Sequence, residues 1–131
     1  MKKPITVFFC ALLSGISAAH AVDLNGAWAN DSSVCNKIFV KKNNAISITK
    51  DSDSYGSGFI VDGNKITGKI AECTIKSRKE EGPLFHLIAT CSTDVALQTV
   101  QFSFKLEGDN NLTRIFPGVP EMAVPYIRCQ P

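Results

Sequence analysis

Four cysteines after residue 21 restrict the folds that are open to this 131-residue chain. Cys35, Cys73, Cys91 and Cys129 form an even set without a C-x-x-C spacing, which is typical of disulfides in an oxidising compartment rather than of a zinc site. Four cysteines allow three connectivities. They are also too few to replace a hydrophobic core, so we expect two disulfides that reinforce an ordinary packed domain.

The positions of the cysteines relative to two predicted strands favour one connectivity. Residues 69–77 and 84–92 both have the composition of strands, and the segment between them contains Gly82. A hairpin centred on Gly82 places Cys73 opposite Cys91, because each lies nine residues from that centre. Directly opposed Cβ atoms lie about 4.5–5.5 Å apart, close to the distance that a disulfide needs. The predicted disulfides are Cys73–Cys91 and Cys35–Cys129.

The first 21 residues have the pattern of a signal peptide. Lys2 and Lys3 form a short basic head, residues 5–19 are apolar or small, and Ala19-His20-Ala21 provides the small-x-small pattern of a cleavage site. The apolar stretch is shorter than the roughly 20 residues of a membrane-spanning helix. We therefore expect cleavage after Ala21, a single β-domain over residues 22–131, and a periplasmic or secreted location without stable membrane insertion.

The charge balance changes once the signal peptide is set aside. The full chain has 14 Lys and Arg residues and 12 Asp and Glu residues, and the excess of two is accounted for by Lys2 and Lys3. The remaining domain is formally neutral and has no basic stripe, so we expect no nucleic-acid partner. His86 is its only histidine, and its cysteines are expected to be oxidised. We therefore expect no metal, no cofactor and no catalytic residues, and we predict that the protein is not an enzyme.

Short strands and turns account for most of the domain. Apolar and polar residues alternate over residues 45–49 and 100–107, residues 36–42 are rich in β-forming residues, and Asp62-Gly63 is a strong hairpin turn. About eight strands follow one another in hairpin order. This pattern predicts an all-β fold, a small antiparallel meander barrel of about eight strands, with a two-sheet β-sandwich as the alternative.

A proline-rich segment near the C-terminus interrupts the strand pattern. We expect residues 116–125 to form a long loop before a last strand at residues 126–129. Because proline reduces the entropy that a loop loses on docking, this loop is our preferred partner contact. The charged segment between the two cysteine-bearing strands is a second candidate. The predicted partner-binding residues are Val119, Pro120, Met122, Arg78 and Lys79.

Residues 24–28, Leu-Asn-Gly-Ala-Trp, resemble the Gly-x-Trp opening of the calycin barrels, which include lipocalins, fatty-acid-binding proteins and small periplasmic protease inhibitors. The resemblance implies that Trp28 closes one end of a barrel and that an arginine from a late strand lies across its ring. Arg128, in the last predicted strand, is better placed for this role than Arg114. The wider chain, including residues 55–60 and 75–80, also resembles small exported proteins of Gram-negative bacteria, which implies a location but no activity.

These patterns favour a binding protein. We expect an exported binding module, with an unidentified protein or a small apolar ligand as its partner, that inhibits a hydrolase through its surface loops. The alternative is a lipocalin-like carrier of a small apolar ligand, because eight strands enclose enough space for side chains or one small ligand. A third hypothesis is a hydrolase, which would have to use His86 because no other imidazole is available.

Overall fold

A computed structural model describes residues 2–4 and 23–131 of the chain. Apart from residues 2–4, the predicted signal peptide and its cleavage site after Ala21 lie outside the described residues. In the two described ranges, no helix combines the length and the apolar character that a membrane span requires.

Eight antiparallel strands form a closed barrel. They are β1 (Gly26–Ala29), β4 (Gly58–Asp62), β5 (Lys65–Thr67), β6 (Glu72–Glu81), β7 (Leu84–Ser92), β8 (Leu97–Glu107), β9 (Asn111–Ile115) and β10 (Val124–Cys129). Strands β4 to β10 pair in sequence order, and β1 closes the barrel by pairing with β10 on one side and β4 on the other. The predicted all-β meander barrel is therefore confirmed, and the sandwich alternative is not formed.

An insertion between β1 and β4 forms a separate layer outside the barrel. It contains α1 (Cys35–Ile38), β2 (Phe39–Lys42), β3 (Ala45–Ile48) and two 3-10 helices, Ser32–Val34 and Ser52–Ser54. The β2–β3 turn places Asn43 and Asn44 in the left-handed region, at φ 51° and 63°, which asparagine tolerates better than most residues.

The strand expected over residues 36–42 is only partly correct, because the chain is helical up to Ile38. The helical turns begin where the Asp31 carboxylate accepts a hydrogen bond from the backbone N–H of Ser33, at 2.8 Å, as an N-cap does. Phe39 then begins β2. Apolar composition alone did not distinguish this short helix from a strand.

The two faces of β1 contribute to two different hydrophobic cores. Trp28 points into the barrel and packs with residues such as Phe85 and Leu112. Ala27 and Ala29 point outward and are covered by Ile38 and Phe39 of the outer layer, together with Ile46, Ile48, Ile60 and Ile127. All three β1 residues are fully buried. Small outward side chains let the outer layer approach the barrel wall closely.

Both predicted disulfides are confirmed. Cys73 and Cys91 are directly opposed across β6 and β7, with their Cα atoms 4.0 Å apart. Cys35 and Cys129 join α1 to the last residue of β10, with their Cα atoms 5.6 Å apart. Two formed disulfides are typical of a protein that folds in an oxidising compartment.

The β6–β7 hairpin is longer than predicted. A bulge shifts the register between Ile75 and Ser77, so the turn is centred between Gly82 and Pro83 rather than on Gly82. Gly82 adopts a left-handed φ of 60° there. Residues 78–81, which we expected in the connecting loop, belong to β6.

Candidate functional site

The loops of the barrel divide into two sets, because connections in an up-and-down barrel alternate between its ends. Residues 63–64, 82–83 and 108–110 connect strands at one end, where residues 23–25 enter β1. We call this the closed end. Residues 30–57, 68–71, 93–96 and 116–123 connect strands at the other end, which we call the open end.

Arg128 and Trp28 close one end of the barrel interior. The Arg128 Cζ atom lies 4.3 Å from the Trp28 ring centroid, so of the two arginines considered it is Arg128 that covers the indole. The Trp28 Nε1–H donates to the carbonyl of Leu24 at 2.9 Å. The Arg128 guanidinium donates to the backbone carbonyls of Asp23, Asn25 and Asp109. These bonds hold residues 23–25 across the closed end.

Gly26 makes room for this arrangement. Its φ of 128° lies in the region that favours glycine. A Cβ atom at this position would lie 3.0 Å from the Arg128 Nη1 atom. The glycine of the Gly-x-Trp sequence therefore provides both the backbone conformation and the space for the guanidinium.

The open end contains a cavity of about 210 Å³. Its walls are mainly aromatic: the Phe59 ring lies edge-on to Tyr126 at 4.9 Å between centroids and 5.9 Å from Phe104, and Phe102 stacks on Phe104 at 6.0 Å. Small residues line the remainder, among them Gly58, Gly68 and Ala71. The cavity also reaches Ile66 and the Cys73 end of one disulfide. An apolar group of ring size therefore finds aromatic contacts on several sides.

Arg114 is the charged residue in the cavity lining. It lies on β9 opposite Phe104 of β8, it is half-buried, and its Cζ atom lies 4.8 Å from the Phe102 ring centroid and 4.7 Å from that of Phe116. Within the described part of the chain, these ring contacts are its interactions, and its guanidinium has no hydrogen bond or ion pair.

Exposed apolar side chains surround the open end. Ile70, Val95, Leu97 and Met122 are 81%, 93%, 73% and 54% exposed, and all four lie in or directly beside the open-end loops. Their shared location makes the open end a candidate interaction surface.

The predicted contact residues Val119, Pro120 and Met122 lie at the open end. Their loop begins at Phe116, which contacts Arg114, so it adjoins the cavity. Two details differ from the sequence prediction. Pro120–Met122 forms a 3-10 helix, because proline is favourable in the first helical turn. The last strand begins at Val124 rather than at residue 126.

Arg78 and Lys79 lie apart from this group. Both belong to β6, near the turn at the closed end. Arg78 pairs with Glu80 at 2.6 Å and lies over the Phe85 ring, and Lys79 pairs with Glu81 at 3.0 Å. The sequence prediction grouped these residues with the proline-rich loop as partner contacts, but the alternation of the loops places the two candidates at opposite ends of the barrel.

His86 lies on the outer wall of the barrel between a serine and a glutamate. Its Nδ1 atom is 2.9 Å from Ser103 Oγ, and its Nε2 atom is 3.6 Å from Glu81 Oε2. The pKa of Glu81 is lowered, mainly because Lys79 donates a hydrogen bond to its carboxylate and adds its charge, with smaller contributions from His86. Ser103 is only 3% exposed and does not line the groove beside His86. This serine therefore does not present a nucleophile to a substrate.

The sequence prediction did not identify the aromatic cavity or the role of Arg114 in it. Alternation along residues 100–107 did place Phe102 and Phe104 on one face. The contribution of Phe59 and Tyr126 depends on the curvature of the whole barrel, for which the sequence holds no local signal.

Neither a metal-ligand cluster nor a related protein indicates the chemistry of the cavity. The described residues contain no group of three or more His, Cys, Asp and Glu side chains that could hold a metal ion. Comparisons with protein-family models, curated proteins and solved structures found no significant match. The geometry of the open end therefore carries the functional inference.

Proposed function

We propose that this protein is an exported binding protein that takes a small apolar group of its ligand into the open-end cavity. The observation that carries the proposal is the cavity of about 210 Å³ between Phe59, Phe102, Phe104 and Tyr126. Ligand sites of this kind are typically concave, mostly apolar and equipped with a few polar groups. At the other end of the barrel, Arg128 and residues 23–25 lie across the interior.

The volume of the cavity limits the size of the bound group. An apolar cavity of about 150 Å³ accommodates benzene, whereas drug-sized ligands occupy roughly 300–1,000 Å³. A cavity of about 210 Å³ therefore suits a single ring with a short substituent. A long acyl chain would extend far outside it.

The residues at the mouth support a binding role for the cavity. Apolar walls that stay open to water forgo the stabilisation that their burial would give, so a sequence selected only for stability would fill this space. At Gly68, an added Cβ atom would meet nothing closer than the Ala71 carbonyl oxygen, at 3.5 Å. Larger side chains at Gly68 or Ala71 could therefore occupy the mouth, yet both positions hold small residues.

The two disulfides and the N-terminal sequence support export. Cys35–Cys129 and Cys73–Cys91 are formed, and residues 1–21 have the basic head, apolar stretch and Ala-x-Ala pattern of a signal peptide. We propose that the protein works in the periplasm or outside the cell, after cleavage following Ala21.

A cavity-filling variant tests the binding role. Toluene is the probe, and its binding is followed by NMR chemical-shift changes of residues that line the cavity. We expect saturable binding to the natural protein and at least a tenfold loss of affinity in Ala71→Trp, because the indole fills the mouth. Ala123→Trp is the matched control, since Ala123 is an exposed residue of the open end that does not line the cavity. Absence of saturable toluene binding, or equal binding to the three proteins, contradicts the proposal.

A second candidate function is the inhibition of a hydrolase by the open-end loops. The exposed side chains of Ile70, Val95, Leu97 and Met122 favour it, because a partner could bury them. The test measures capture and inhibition of purified lysozyme and of serine proteases by the natural protein and by a Val119→Ala/Met122→Ala double variant. Ile88→Ala on the barrel wall is the control. Absence of inhibition, or inhibition that the double variant retains in full, rules this function out for the enzymes tested.

A further inference from the structure

We infer that the ligand of the open-end cavity carries a carboxylate beside its apolar ring and that Arg114 binds this carboxylate. The inference rests on the proposed function, since it names the chemical class of ligand for the same cavity. The ligand class is a small aromatic acid: one ring with a short chain that ends in a carboxylate.

The three arginines of the chain differ in their partners. Arg78 forms an ion pair with Glu80, and Arg128 donates hydrogen bonds to three backbone carbonyls. Arg114 has contacts with two phenylalanine rings and, among the described residues, no polar partner. Two of the three guanidinium groups thus have polar partners within the protein. The third lines the cavity, and its N–H groups donate no hydrogen bond to the described residues.

The geometry of the Arg114 donors suits a carboxylate. A guanidinium is planar and has five N–H donors directed along its edges. Aromatic rings such as those of Phe102 and Phe116 attract it through the ring face and accept none of these donors in a conventional hydrogen bond. The fixed fork of an arginine matches the two oxygens of a carboxylate. The two ring contacts restrict the side chain before a ligand arrives, which reduces the entropy lost on binding.

The charge of the cavity lining also favours an anionic group. Among the described residues, the lining of the cavity contains Arg114 and no acidic side chain. A bound carboxylate therefore meets one positive charge and no opposing negative charge from them. Aromatic walls and a half-buried position exclude part of the solvent, which strengthens the attraction between the two charges. The apolar ring and the anionic group of the ligand would then each contact a matching part of the site.

A matched pair of ligands tests the inference. 3-Phenylpropionate and 3-phenylpropionamide have the same ring and chain length and differ in the charge of the terminal group. Binding is measured by isothermal titration calorimetry at low salt with the natural protein, with Arg114→Met and with Lys105→Met. Methionine retains an apolar chain at position 114 without the charge. Lys105 is an exposed cation on β8 whose ammonium pairs with Glu107, so its variant controls for the net charge of the protein.

The inference predicts that the natural protein and Lys105→Met bind the carboxylate at least tenfold more tightly than the amide. Arg114→Met should bind both ligands with an affinity close to that of the natural protein for the amide. Equal binding of the two ligands by the natural protein, or a carboxylate preference that Arg114→Met retains, overturns the inference while leaving the cavity proposal intact. Binding of neither ligand overturns the inference, and absence of toluene binding as well overturns the cavity proposal.

Discussion

Arg128 and Trp28 lie 100 residues apart in the sequence and form a single unit at the closed end, with the guanidinium 4.3 Å from the centre of the indole ring. The arginine adds hydrogen bonds to the carbonyls of Asp23 and Asp109, each at 3.0 Å. Trp28 itself is fully buried. This contact therefore joins the first and last strands of the barrel and covers the inner core at the same time.

Replacement of Arg128 should destabilise the barrel strongly. We expect Arg128→Met to lower the free energy of unfolding by about 2–4 kcal/mol, because it removes a cation–π contact and several charge-assisted hydrogen bonds. Urea unfolding followed by the fluorescence of Trp28, the only tryptophan of the chain, measures this loss. Arg114→Met, which removes ring contacts alone, should cost less than about 1 kcal/mol. Equal losses in the two variants would contradict the structural role given to Arg128.

The two disulfides should differ in their contributions to stability. Cys35–Cys129 closes a loop with a sequence separation of 94, and Cys73–Cys91 one with a separation of 18. In the chain-entropy model the longer loop contributes about 5 kcal/mol and the shorter about 3 kcal/mol. Urea unfolding of the Cys35→Ala/Cys129→Ala and Cys73→Ala/Cys91→Ala variants compares them. A larger loss from the Cys73–Cys91 pair would show that packing around that pair, rather than loop entropy, decides the order.

Gly58 should not tolerate a side chain. A Cβ atom there would lie 2.8 Å from both the Phe39 Cζ atom and the Trp28 carbonyl oxygen, so Gly58→Ala forces the backbone or the ring to move. We expect a loss of about 1–3 kcal/mol, typical of overpacking, in thermal or urea unfolding. Gly68→Ala is the control, because its nearest neighbour would be the Ala71 carbonyl oxygen at 3.5 Å. A Gly58→Ala protein as stable as the Gly68→Ala protein would show that the outer layer moves away from the added Cβ atom at little cost in stability.

The ion pair between Lys79 and Glu81 should be detectable by titration. A hydrogen bond from Lys79 holds the pKa of Glu81 below its ordinary value of 4.5, and Lys79→Met should raise it toward that value. Because the folded-state pKa is lowered, the associated stabilisation is present above about pH 4.5 and is lost as the pH falls through the folded-state value. The pH dependence of the NMR chemical shift of the Glu81 carboxyl carbon measures this pKa in the natural protein and in Lys79→Met. Lys105→Met should leave this pKa unchanged, and a shift of equal size there would indicate a general charge effect.

Local patterns in the sequence are sufficient to predict the barrel and the pairing of its disulfides. The opposed positions of Cys73 and Cys91 followed from strand alternation and one turn signal, and both are short-range features. The bulge between Ile75 and Ser77 has no such signal. The predicted turn is therefore displaced from the observed one. The prediction also assigns Arg78 to the connecting loop, whereas it belongs to β6.

The outer layer and the cavity depend on contacts between distant segments. Ile38 and Phe39 are apolar in a strand or in a helix, and only their contact with the outward face of β1 shows why the chain turns there. The cavity exists because residues from six different strands, β4, β5, β6, β8, β9 and β10, leave space between them. The volume of the cavity cannot be predicted from the sequence until the relative positions of all these strands are known.

Gly58 lies at the boundary between the two halves of the molecule. One side of this residue faces the open-end cavity, and the position of its absent Cβ atom is in contact distance of Phe39 and Ile38 in the outer layer. The wall between an external helix and the interior of the barrel is thus one backbone thick at this point. A change in the packing of residues 30–57 would be transmitted directly to the shape of the cavity, even though none of the described residues before Ser57 lines it.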